Sequence, residues 1–289
     1  MNEIPAHRKV QRTIAAQRAV EGDGFVVRRP FPTAQVSEID PFLLLDHLGP
    51  IDYAPGEAKG TPDHPHRGFE TVSFVFEGDV HHRDSRGHEG LIKAGGVQWM
   101  TAGSGIIHKE QPSEAFQRVG GRSHGIQLWV NLPAAQKMAQ PRYQDLQASD
   151  IPTVTVGASE VRVVAGTFGD VTAPVQTHLP ILALICRLNG DSVSVEAPSA
   201  NTTLAYVISG VLQTADGDVP EANLVQYGPG SEPVVLNGHG EVLLLSGMAT
   251  GDPIVRYGPF VMNTKDEIVQ AFRDYERGVF DAVSAAEST

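Results

Sequence analysis

At 289 residues the chain exceeds one small core and sits near the length expected of two domains. Apolar residues at 41%, charged residues at 19% and 20 prolines exclude a disordered chain, a collagen and a coiled coil. The 34 acidic against 22 basic residues give a formal −12, which repels nucleic-acid phosphates and anionic bilayers, so neither a direct nucleic-acid partner nor a membrane partner is expected. The opening residues Met1–Lys9 hold no apolar core of signal-peptide length, and no stretch approaches the roughly 18 apolar residues of a membrane span. Cys186, the one cysteine, lies in an apolar run, so it reads as a buried inert thiol in a reducing, cytoplasmic setting. From residue 25 to 260 short apolar or alternating runs follow one another between glycines and prolines: Phe25–Val27, Thr71–Phe76, Gly125–Val130, Val161–Val164 and Glu241–Leu245. That cadence predicts an all-β barrel or sandwich. Residues 135–150 are polar and weakly patterned and read as a linker. A helix is predicted only near the end, where Thr264-Lys-Asp-Glu267 is a capping box followed by Ile268, Phe272 and Tyr275 on one face. Beyond Phe280 the chain reads as a frayed tail.

An internal repeat supports two domains. Phe74-Val-Phe-Glu-Gly78 matches Tyr206-Val-Ile-Ser-Gly210, and Val97-Gln-Trp99 matches Val225-Gln-Tyr227, displaced by about 130 residues in both cases. The expected division is a barrel over 1–134, the linker over 135–150 and a second barrel with the terminal helix over 151–289.

The histidines are unevenly spread. Of the 11, nine fall at or before His124. Successive side chains of a strand alternate between faces, so His64 with His66, and His108 with Glu110, each bring two ligand-type groups to one side. Facing one another inside a barrel, the two pairs make a four-ligand pocket of imidazoles and a carboxylate. Such a set suits a divalent ion such as Fe, Mn, Ni, Cu, Co or Zn, and the lack of further thiolates argues against Fe–S clusters. Fe(II) is the first choice. The same offsets map His64 and His66 to Glu196 and Pro198, and His108 and Glu110 to Leu236 and Gly238, so the second copy has lost the set. Residues 64, 66 and 70 share a face if their strand is unbroken. A fifth ligand would leave at most one open position, so Glu70 is placed behind the ligands, holding a histidine or Arg67. Gln127, Trp129 and Asn131 alternate with Leu128 and Val130, which makes Gln127 a further candidate around the metal and Trp129 a core residue. His81, His82 and His88 lie in a polar turn that either rims the metal mouth or, the reading preferred, is solvated, and His47 reads as a buried hydrogen-bonded group.

Several stretches together resemble the pirin family of the cupin superfamily: Val27–Pro30, Asp40–Asp46, His64-Pro-His-Arg-Gly-Phe-Glu-Thr-Val72, Gln98-Trp-Met-Thr-Ala-Gly103, His108-Lys-Glu110, Gln127–Leu132 and Gly258-Pro-Phe-Val-Met-Asn263. The resemblance implies a bicupin, two cupin-type β-barrels with the metal in the first. It implies iron held by His64, His66, His108 and Glu110. It also implies quercetin 2,3-dioxygenase chemistry, in which a small aromatic chelating substrate, a flavonol, is opened by O2 with release of carbon monoxide. Glu110 is then the catalytic residue, setting the charge of the site and accepting the substrate proton. The rival expectation from the same resemblance is an iron-dependent, redox-sensing interaction protein with little catalysis, whose protein partner is a transcription factor or a metabolic enzyme.

Overall fold

The structure, a computed structural model, describes residues 7–281; the tail after Asp281 lies outside them. Two long antiparallel sheets dominate, and they repeat one strand order. The first runs Arg142–Leu146, Val97–Thr101, Phe69–Glu77, Gly121–Asn131, Phe42–Tyr53, Phe25–Phe31, Gln17–Glu21. The second runs Val10–Ala15, Asn223–Tyr227, Asn201–Thr214, Val234–Met248, Ile181–Asn189, Ser159–Ala165, Thr153–Val156. Strand for strand the orders correspond, as the repeat requires. All five strands predicted from apolar runs form. No helix among the described residues is long and apolar enough to cross a membrane.

The compact units do not follow chain order. One unit holds the second-half sheet together with residues up to Gln17 and Arg28–Pro41. The other holds Arg18–Val27, Phe42–Ala148 and the described chain from Thr250 on. Two expectations need correction here. The stretch 135–150 is no linker: Arg142–Leu146 pairs with Val97–Thr101 and forms the edge of the first sheet. Its polar residues concealed it, because an edge strand with one wet face carries little apolar signal. The helix Lys265–Glu276 belongs with the first barrel rather than the second. Its capping box forms, with Glu267 N donating to Thr264 Oγ1 at 3.2 Å and Thr264 N to Glu267 Oε2 at 2.8 Å. Ile268 and Ala271 are its buried residues, whereas Tyr275 is 39% exposed.

That terminal segment is built into the first barrel at one corner. Val261 packs with Leu43 and Phe69, and its N–H donates to the Arg67 carbonyl at 3.1 Å. Phe280 lies against Gly105, where any Cβ would collide with its ring. The buried Lys137 ammonium donates to the carbonyls of Gly68 at 2.8 Å and Val261 at 3.1 Å and to Asn131 Oδ1 at 2.5 Å. The second barrel is filled differently: Val193, Val195, Val234 and Leu236 are all buried in one apolar cluster. Val193–Val195 pairs with Val234–Leu236 at the place that corresponds, by the repeat, to the histidine-bearing strands of the first barrel. Apolar packing therefore replaces the ligand set there. Cys186 joins this cluster, and burial pushes its thiol up to about 12.

Candidate metal centre

Beside the long sheet, the first barrel has a four-stranded sheet in the order Thr61–His66, Ile106–Gln111, Asp79–Asp84, Glu89–Lys93. His64 stands opposite His108 in the ladder, and His66 opposite Ile106. Alternation turns His66 to the same side as His64, so three rings meet. His64 Nε2 lies 2.9 Å from His66 Nε2 and 2.9 Å from His108 Nε2. The three ligand atoms all fall within 4.8 Å of one another, the one such group of histidine, cysteine or acidic residues among the described residues.

The tautomers suit a metal. His64 Nδ1 donates to the Pro62 carbonyl at 2.8 Å, so its inward Nε2 carries the lone pair. His108 Nδ1 meets His82 Nδ1 at 3.4 Å, again leaving Nε2 inward. Burial, reinforced by the neighbouring histidines, holds His66 and His108 well below the usual imidazole range, so both are neutral at pH 7. Three nitrogens turned on one point, two of them on fully buried neutral rings, fit a borderline divalent ion.

Glu110 stands beside this trio and outside it. The ladder shifts between His108 and Glu110, a bulge that re-aims the carboxylate. Its Oε1 lies 2.8 Å from Ser73 Oγ, its Oε2 accepts from Gln127 Nε2 at 3.4 Å, and Ser73 Oγ lies 2.6 Å from Gln127 Oε1. Burial raises the Glu110 carboxyl, while His64 and the Ser73 hydrogen bond oppose the rise. One hydroxyl proton cannot serve two acceptors, so Ser73 donates to Glu110 or to Gln127 at any one time. Ser73 was absent from the sequence reading. A serine in the otherwise apolar run Val72–Phe76, on a central strand opposite Gln127, was the available signal.

Glu70 and Arg67 occupy other places than expected. Gly68, at φ 89°, breaks the strand between His66 and Phe69, so parity does not carry from 66 to 70. Thr101 Oγ1 donates to Glu70 Oε1 at 2.7 Å, and burial pushes the Glu70 carboxyl up to about 7. Arg67 donates from Nε to the Ser104 carbonyl and from Nη1 to Asp274 Oδ2, each at 2.8 Å, and lies over Phe280. His82 is not solvated. It is fully buried behind His108, its Nε2 without a hydrogen-bond partner, and burial with His88 pushes it down to about 3. Tyr143 covers it and stacks on His88, whose Nε2 lies 3.2 Å from Asp145 Oδ2. His81 stays at the surface with Glu89, and His47 is buried at 2.7 Å from the His124 ring nitrogen. Trp129 is half-buried, 5.2 Å from the His66 ring.

The sequence pattern of the family "Pirin" matches residues 24–130, and that of the "Pirin C-terminal cupin domain" matches residues 187–281. A Pseudomonas aeruginosa protein named "Putative quercetin 2,3-dioxygenase" is 43% identical over 272 residues, covering 92% of this chain and 95% of its own. Pirin-like protein 2 of Arabidopsis thaliana is 40% identical over 283 residues, covering 94% and 85%. A 1.88 Å crystal structure of quercetin 2,3-dioxygenase from Acinetobacter baumannii superposes with a TM-score of 0.89 at 37% identity, covering 96% of this chain and all of that one.

Proposed function

The chain belongs to the pirin family, and we propose that it is a metal-dependent dioxygenase that opens a flavonol-type chelating ring with O2. The observation that carries this reading is the convergence of His64, His66 and His108 through their Nε2 atoms. Those three residues, with Glu110 as fourth donor, would hold Fe(II). When bound, the ion would supply Lewis acidity toward a deprotonated 3-hydroxy-4-keto group and activate it toward O2. Support also comes from the relatives named for this reaction.

The chain's own residues have distinct tasks. His64, His66 and His108 are the ligands, and His66 and His108, kept neutral by burial, do not compete for the substrate proton. Glu110 Oε2 takes the proton of the substrate hydroxyl, and its depressed acidity suits that transfer. Gln127 and Ser73 hold the carboxylate in place meanwhile. In the overall reaction both atoms of O2 enter the carbon products, one of which is carbon monoxide. The test is aerobic turnover of the iron-loaded protein over a flavonol panel, scored by loss of flavonol absorbance and by carbon monoxide. Turnover that needs the metal and disappears in His108→Ala is expected. Fully metallated protein inert over the whole panel overturns the catalytic reading, and Glu110→Gln with unchanged metal and unchanged turnover overturns the role of Glu110 as ligand and base.

A further inference from the structure

Behind the candidate ligand His108 stands a second buried ring. His82, on the strand Asp79–Asp84, is opposite Glu110 in the ladder, and its Nδ1 lies 3.4 Å from His108 Nδ1. Both rings are fully buried. A metal held through His108 Nε2 leaves the ring proton on His108 Nδ1, so His82 Nδ1 is its acceptor and His82 carries its own proton on Nε2. That Nε2 is buried and has no hydrogen-bond partner. Rings enclose it instead, with the Tyr143 centroid 4.4 Å and the His88 centroid 5.9 Å from that of His82. A buried donor left unpaired costs about 1–3 kcal/mol, which a phenylalanine of the same shape would avoid. Packing therefore does not account for a histidine at this place.

The kind of partner matters to the ligand. A histidine that binds metal through one nitrogen usually donates from the other to a carboxylate, a carbonyl or water, and a charged acceptor makes the ligating nitrogen more basic. His64 follows that pattern with the Pro62 carbonyl at 2.8 Å. His108 has an uncharged ring at a longer distance. Carboxylates stand one layer further out and are engaged elsewhere. Asp84 Oδ1 accepts the backbone N–H groups of Arg86 at 2.8 Å and His88 at 2.9 Å, and Asp145 accepts from Gln98 Nε2 at 2.9 Å and lies 3.2 Å from His88 Nε2. Oxidation of Fe(II) to Fe(III) adds one positive charge to a buried site, and a carboxylate against the ligand ring would favour that charge where a neutral ring does not.

We propose that His82 is a positioning residue that fixes His108 as a metal ligand and, by placing an uncharged acceptor behind it, keeps bound iron in the ferrous state. This rests on the reading of the centre as an iron site. The test uses the iron-loaded protein and a matched pair of variants, His82→Asn and His82→Asp, whose side-chain oxygen takes the place of His82 Nδ1 and which differ by one charge. Potentials are read by spectroelectrochemistry and Fe(II) affinity by anaerobic chelator competition. His82→Asn should keep the wild-type potential. His82→Asp should favour Fe(III) about tenfold, a potential lower by about 59 mV for a one-electron couple. His82→Leu, with no acceptor, should bind Fe(II) about tenfold more weakly, and His82→Asn should recover that affinity. Equal potentials in His82→Asn and His82→Asp overturn the proposal, as does wild-type Fe(II) affinity in His82→Leu. A wild type that takes up no iron overturns it together with the metal centre itself. Because neither readout needs turnover, a protein inert toward flavonols that shows both shifts loses the catalytic reading and keeps this one, and a protein that opens flavonols without them does the reverse.

Discussion

Arg67, the residue after His66, donates through Nη1 to Asp274 Oδ2 at 2.8 Å, across 207 residues of chain. The pair is largely buried, with side chains 3% and 17% exposed, and Arg67 lowers the Asp274 carboxyl against the opposing effect of burial. One end sits beside the histidines and the other on the terminal helix, so the helix holds the corner that aims His66. Asp274→Ala leaves a buried guanidinium with one acceptor fewer and should cost about 3 kcal/mol. Urea unfolding should show that loss, and chelator competition should show weaker metal binding. An unchanged midpoint would remove the helix from any part in the site.

Gly68 is the hinge of the same corner. At φ 89° it occupies backbone space that L side chains rarely enter, and a Cβ there would sit 2.0 Å from the Val261 carbonyl oxygen. Gly68→Ala should destabilise the protein by about 3 kcal/mol, through strain and displacement of the terminal strand. Thermal unfolding measures it, with Gly56→Ala, which meets nothing within 4 Å, as the comparison for strain alone.

Ser73 fixes the carboxylate that the bulge turns away from the ladder. Ser73→Ala should preserve the fold and weaken metal affinity by about tenfold, because the ligand-type group loses its outer partner. Competition against a chelator of known affinity reads this. Ser73→Thr, which keeps the hydroxyl, should recover part of the loss.

Glu70 and His82 titrate in opposite senses. The Glu70 carboxyl is raised from 4.5 to about 7, so the native state holds its proton more tightly than the unfolded chain. Its stabilising contribution is complete below pH 4.5 and is lost as pH climbs through 7. Above pH 7 the loss amounts to about 3 kcal/mol, and Glu70→Gln should flatten that descent. His82 is lowered from 6.5 to about 3, so its contribution is present above pH 6.5 and falls away as pH drops toward 3. His82→Phe should reduce acid sensitivity in that window. Urea midpoints of the metal-free protein between pH 3 and 9 check both signs.

The two His-rich pairs were legible because strand parity is local: residues two apart on a strand share a face whatever lies opposite. The same rule failed at Glu70, since it needs an unbroken strand and Gly68 ends that strand. It failed also for the surroundings of Glu110, where a bulge in the partner ladder decides which way the carboxylate turns. His82 sits in a run of polar residues whose local pattern is that of a solvated turn, and only the strand Arg142–Leu146, with Tyr143 and Asp145, converts it to a buried wall.

By itself the chain of residues determined two β-rich repeats, a capped terminal helix, three histidines placed to converge in the first repeat, and a second repeat stripped of them. These follow from spacing, periodicity and side-chain chemistry within a few residues. Tertiary structure alone decided that the helix and the strand Arg142–Leu146 serve the first barrel, that Glu110 rests on Ser73 and Gln127, and that His82 stands behind His108. Each joins residues separated by tens to hundreds of positions, and such partnerships depend on sheet register and chain path, which no local pattern encodes.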